Sequence, residues 1–179
     1  MKTARILAAA TLLCTYGMVG CAVYSFAVRE SLDLVFDGTL PLTGLCGLLC
    51  VVHIVLASHL AGREEAIPLC RLALGWKLLE APYFLTNFVL WLLVSGAFLV
   101  VPGLQLGLVT VLPLAAFATY LPVLSSSAYQ LAAIRAAGRA GIAVRKRHIV
   151  LSLLFVLDTI DAILLWRILR RAEKERKQE

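Results

Sequence analysis

The sequence predicts an all-α polytopic membrane protein, a bundle of about five transmembrane helices. Composition is the first ground. Of 179 residues 61% are hydrophobic and 16% charged, against about 45–50% and 25% in a soluble domain. Hydropathy is the second, with a chain mean of +0.89. The third is the placement of charge, which leaves three long stretches empty: Ile6–Val28, Gly38–Gly62 and Ala81–Ile134. These features exclude disorder, collagen-like repeats and an extended coiled coil.

The first span is read at about 5–28. Lys2 and Arg5 ahead of an apolar run resemble the start of a signal peptide, but an h-region is only about 7–15 residues long. Met18-Val19-Gly20-Cys21 is followed by apolar residues where a lipoprotein would turn polar, so the segment is expected to stay as a helix. The second span covers about 39–61. The 54 uncharged residues from Ala81 to Ile134 are more than twice the roughly 20 that one helix needs. That stretch must turn once, and Pro102-Gly103 is the natural place. Spans three and four are then expected at 78–101 and 104–124, the latter extending towards 134. A fifth, at 148–166, is interrupted only by Asp158 and Asp161, and a basic tail, 167–179, follows. Tyr24, Trp76, Tyr83 and Trp166 lie near span ends, at the depth where aromatic rings with a polar edge prefer to sit.

The net charge of +6 does not point to nucleic acid, because the positives stand in short tracts between apolar runs rather than on an aqueous face. They are expected to set topology and to meet anionic lipid headgroups, with the bilayer as the first partner and another membrane subunit as a second. Five crossings put Lys2, Arg5, the Arg63–Lys77 loop and the Arg135–Arg147 loop on one side, ten positives against seven. That majority predicts a cytoplasmic N-terminus in a cell membrane, plasma or inner. The dissent comes from the tail. It either sits outside despite its charge or follows a last segment that fails to cross.

Five cysteines, an odd count with no paired positions in the external loops, argue against a disulfide framework. Cys46, Cys50 and His53 stand at i, i+4 and i+7, a spacing that suits half of a soft-metal site. Packing beside Gly44 and Gly47 is the stronger account of these cysteines. His59 and His148 fall near span ends, where interfacial polarity explains them. No cofactor is called for, and no catalytic motif occurs in the sequence.

Asp158 and Asp161 are the most informative residues. Three apart, they share a helix face. A carboxylate near the bilayer centre costs at least about 2.5–3.5 kcal/mol, so it calls for a partner or a role. Three readings stand: a proton or cation relay, structural pairing with a basic group on another helix, or a shallow interfacial segment. Glu80, Asn87 and Trp91, with Tyr83 beside them, form a polar–aromatic stripe on span three, and Lys77 one turn earlier accounts for Glu80. In span four, Pro113 and Pro122 are expected to break the helix ahead of Ser125-Ser126-Ser127, Tyr129 and Gln130.

Function is accordingly expected to be that of a small transporter or channel-like protein, or the membrane subunit of a transport complex. Its polar site would comprise Asp158, Asp161, Asn87 and Glu80. A non-catalytic membrane partner or assembly protein is the alternative, and a membrane-embedded lipid-modifying enzyme a second one.

Overall fold

Leucine, alanine and other strong helix formers fill the uncharged stretches, and no β-patterned run competes with them. The computed structural model describes residues 1–24, 33–63, 65–100, 105–145, 147–152, 154, 157–176 and 178. It is all-α, with no strand among the described residues. The elements are α1 (Lys2–Tyr24), α2 (Asp33–Arg63), α3 (Ala66–Val100), α4 (Gln105–Arg139), α5 (Arg147–Leu151) and α6 (Leu157–Arg176). Two segments, Lys2–Cys21 and Gly38–Arg63, are long and apolar enough to cross a membrane.

Several expectations need correction. The third helix begins at Ala66, so the segment expected as the Arg63–Lys77 loop is helical and Lys77 lies three turns inside α3. α4 runs unbroken through Pro113 and Pro122. Each proline removes one backbone bond, but the helix formers on both sides carry the helix past it. The fifth segment is two helices rather than one, and α6 continues through most of the expected tail to Arg176. Arg135 and Arg139 belong to α4 and leave a shorter loop before α5. Pro102-Gly103, the expected turn, lies outside the described residues, as do Arg29 and Glu30.

The chain divides into two compact units, Met1–Ala8 with Leu49–Leu78 and Val123–Glu179, and Ala9–Leu48 with Leu79–Pro122. In the second unit α1 and α2 meet at Gly38, where an added Cβ would lie 2.9 Å from Cys21 Sγ. This small residue lets two helices approach closely, whereas Gly44 meets nothing within 4 Å among the described residues. Thr43 Oγ1 donates to Met18 Sδ at 3.3 Å. Tyr16 lies edge-on to Tyr83 at 6.3 Å and donates its hydroxyl to the Leu79 carbonyl at 2.7 Å. Asn87 Nδ2 donates to Thr119 Oγ1 at 2.5 Å, tying α3 to α4.

In the first unit small residues are buried on each of α2, α3, α4 and α6, among them Ala57, Ala73, Ala133 and Ala162. Ala57 and Ala61, Ala132 and Ala136, and Ala133 and Ala137 are buried pairs one turn apart. Polarity is inverted relative to a soluble core. Lys77, His53, His148, Asp158 and Asp161 are buried, while Val51, Val55, Val150 and Ile160 are exposed. The second unit repeats the pattern, with Glu80 buried and Leu13, Leu85 and Leu93 exposed, Leu13 at 76%.

α4 ends in a Schellman motif: Gly141 N–H donates to Gly138 O at 3.2 Å and Ile142 N–H to Ala137 O at 3.0 Å. Gly141 adopts φ 76°, which a side chain disfavours. Arg139 in the last turn donates to the main-chain carbonyls of Ala61 and Gly62, satisfying the end of α2. Gly141→Ala is expected to destabilise the protein by about 1 kcal/mol, lowering the thermal midpoint of the purified full chain by about 2–4 °C. An unchanged midpoint would mean that the left-handed cap does not form.

Candidate functional site

Asp158 and Asp161 lie in the first turns of α6, three residues apart and both buried. A negative side chain at a helix start is favoured by the backbone dipole, but two buried carboxylates need more than that. Each has its own partner. Asp158 Oδ2 accepts from Lys77 Nζ of α3 at 2.8 Å, and its other oxygen accepts from Thr159 Oγ1 at 3.1 Å. Lys77 Nζ also donates to Ser127 Oγ of α4 at 3.2 Å. Ser127 in turn donates to the Ser152 carbonyl between α5 and α6.

Asp161 is held differently. Its Oδ1 lies 2.6 Å from His148 Nδ1 of α5, and its Oδ2 accepts from Gln130 Nε2 of α4 at 2.7 Å. With the Asp161 carboxylate as acceptor, His148 Nδ1–H donates, which leaves Nε2 as the second ring nitrogen. That Nε2 is buried, and it has no hydrogen-bond partner among the described residues. Gln130 Oε1 is in the same condition. Two unpartnered polar atoms thus flank one carboxylate, an arrangement able to accept a proton or a small polar guest.

The geometry also explains why the last segment is not one helix. A continuous helix would place residues 148 and 161 about 20 Å apart along its axis. The 2.6 Å contact between them therefore requires the chain to turn between α5 and α6. His148, which interfacial polarity alone was expected to explain, is the buried partner of an acid.

Of the expected site residues, Asp158 and Asp161 fall in the first unit, with Ser127 of the expected serine cluster. Asn87 and Glu80 belong to the second unit, where Asn87 is bonded to Thr119 and Glu80 is buried. Lys77, expected to hold Glu80, directs its ammonium to Asp158 and Ser127. The Trp91 side chain lies outside the described residues.

Of the candidate half-site Cys46, Cys50 and His53, all three are buried. His53 Nδ1 is 2.9 Å from Tyr129 OH, its ring also bonds the backbone of Leu7, and Trp76 packs against it at 4.5 Å. Both nitrogens are thereby occupied, and His53 links α1, α2 and α4 as a packed polar core group. Among the described residues no group of three or more His, Cys, Asp or Glu converges as a metal site.

Sequence reasoning missed Lys77, Gln130 and His148 as partners of the acids. The one signal was that Lys77 and His148 border uncharged runs, which reads equally as a span edge. Lys77→Met or Asp158→Leu alone leaves a buried charge uncompensated and is expected to destabilise the protein by about 3–5 kcal/mol. The double variant should recover most of that loss in unfolding measurements on the purified chain. Additive losses in the double variant would mean that the pair is not coupled.

No curated relative and no solved structure matches the chain. One family model matches residues 34–171, a range that takes in Lys77, Ser127, Gln130, His148 and both acids. That match covers most of the chain, and the protein belongs to this family, described as a family of unknown function, DUF6652.

Proposed function

We propose that the protein is a small multi-pass membrane protein of about five crossings, sited in a cell membrane, plasma or inner. It acts in transport by itself or as the membrane subunit of a transport complex, and moves protons or cations past Asp161 and His148. The observation that carries this reading is the buried Asp161–His148 pair at 2.6 Å, with His148 Nε2 and Gln130 Oε1 lacking partners among the described residues. Imidazole is the side chain that ordinarily changes charge between pH 5 and 8. An ionisable pair inside a membrane is a functional site by default.

Other features support the membrane reading. Large apolar side chains are exposed and charged ones buried in each unit, which suits lipid as solvent and would be costly in water. Two helices have the length and apolarity to cross. The last segment is divided into α5 and α6 beside the polar cluster, and within a membrane a divided helix is tolerated where it lines a protein-enclosed polar space. Discontinuous helices form the ion and substrate sites of many carriers.

One observation favours a second reading. Asp158 is neutralised by Lys77 on another helix, as expected of polar groups that serve helix assembly. On that reading the protein is a non-catalytic membrane partner.

Reconstitution of the full chain into liposomes carrying a pH-sensitive dye separates the two. The transport reading expects an imposed gradient to dissipate, and Asp161→Asn to reduce the flux to that of empty liposomes while the protein stays folded and monodisperse. Flux equal to empty liposomes in the unaltered protein would overturn it. Topology is tested separately. A reporter inserted at Val144, in the basic loop after α4, is expected to read cytoplasmic, and activity only on the outer face would reverse the orientation.

A further inference from the structure

A groove runs between α2 and α4 on the first unit, with a volume of about 220 Å³. It is too small for an enclosed drug-sized site, which occupies about 300–1,000 Å³. On α4 it is bordered by Leu124, Ala128, Leu131 and Arg135, at i, i+4, i+7 and i+11. These positions form one stripe down the helix face. Ile54 and Ser58 of α2 form the facing wall.

The stripe is polarised along its length. It begins apolar at Leu124 and ends at Arg135, the one charged residue lining the groove. Eleven residues of helix span about 16 Å, close to half of the roughly 30 Å hydrocarbon core. Arg135 is exposed, and among the described residues it has no ion-pair or hydrogen-bond partner. This differs from Arg139 one turn on, which is committed to the end of α2. A cleft about 16 Å long, apolar at its Leu124 end and cationic at its Arg135 end, has the shape and charge order of a lipid with an anionic head.

We propose that this groove binds one anionic phospholipid, its acyl chain along Leu124, Ala128 and Leu131 and its phosphate on Arg135. The proposal rests on the membrane reading above and gives the protein a defined lipid site in place of diffuse headgroup attraction. The site also touches the polar cluster. Ser127 lines the groove while accepting from Lys77 and donating to the Ser152 carbonyl. The acyl chain therefore lies against the residue that joins α3, α4 and the α5–α6 turn.

The test uses the full chain in an uncharged detergent, with retained lipid counted by native mass spectrometry. Phosphatidylglycerol, phosphatidylcholine and free glycerol phosphate serve as probes. One phosphatidylglycerol should be retained per chain. Arg135→Gln should weaken its retention about five-fold, the equivalent of about 1 kcal/mol for one basic group at a lipid surface. Ala128→Phe, which fills the groove from a half-buried position, should abolish retention. Arg145→Gln, an exposed arginine that does not line the groove, should leave it unchanged. Should Ala128→Phe fail to fold, the Arg135 and Arg145 variants decide between them. Equal losses in those two, equal retention of phosphatidylcholine, or displacement of the lipid by glycerol phosphate would each overturn the proposal. A chain that integrates into membranes yet retains no phosphatidylglycerol removes the groove alone. A chain that does not integrate removes the membrane reading with it.

Discussion

The ion pair between Lys77 and Asp158, 2.8 Å apart and shielded from solvent, is the constraint on which the first unit depends. Two charges withdrawn from water lose several kcal/mol of solvation each and recover it only in good geometry with further hydrogen bonds. Here Ser127 completes the ammonium and Thr159 the carboxylate. Because Ser127 also holds the Ser152 carbonyl, one group of contacts fixes α3, α4, the α5–α6 turn and the start of α6. A slip of one residue in any of these helices rotates its polar side chain by about 100° and strands a charge. Buried alanines such as Ala57 and Ala133 would tolerate such slips, since small apolar faces resemble one another. Packing therefore brings the helices close, and the ion pair selects their register.

The second acid adds a different constraint. Asp161 draws Gln130 from α4 and His148 from α5, and the contact with His148 can form only if the chain turns between them. The end of α5 and the start of α6 are thus consequences of side-chain pairing rather than of local sequence. Residues 148–166 contain no proline or glycine, and local propensity alone would allow a single helix.

That point separates what the sequence made legible from what it did not. Apolar length and the absence of charge marked out helical territory throughout, and the all-α architecture follows from them. The same rule fails wherever a charge is buried with a partner. Lys77 and Glu80 looked like the edge of a span, yet they lie inside a 35-residue helix. His148 looked interfacial but is wholly buried against an acid. The spacing of Asp158 and Asp161 correctly placed them on one face. Their partners come from residues up to 81 positions away, and no periodicity reports a pairing across that distance. Proline misled in the opposite direction: Pro113 and Pro122 promised a break in α4, whereas the interruption falls where side chains, not prolines, demand it.

The two acids differ most in the chemistry of their partners. A lysine ammonium remains charged across the physiological range unless it is strongly desolvated without a counter-ion. Asp158 supplies that counter-ion, so the Lys77 pair behaves as a fixed dipole. The Asp161 pair contains imidazole, whose two ring nitrogens can each donate or accept according to the tautomer. The two pairs meet in one turn of α6. On the transport reading, a proton taken up at His148 would alter the electrostatics one helical turn from the Lys77–Asp158 pair, which holds α6 in place. An assembly device needs only the fixed pair. A buried histidine whose second ring nitrogen has no partner among the described residues, held by a carboxylate, is surplus to that need, and on the transport reading proposed above it is the group that would handle a proton or cation.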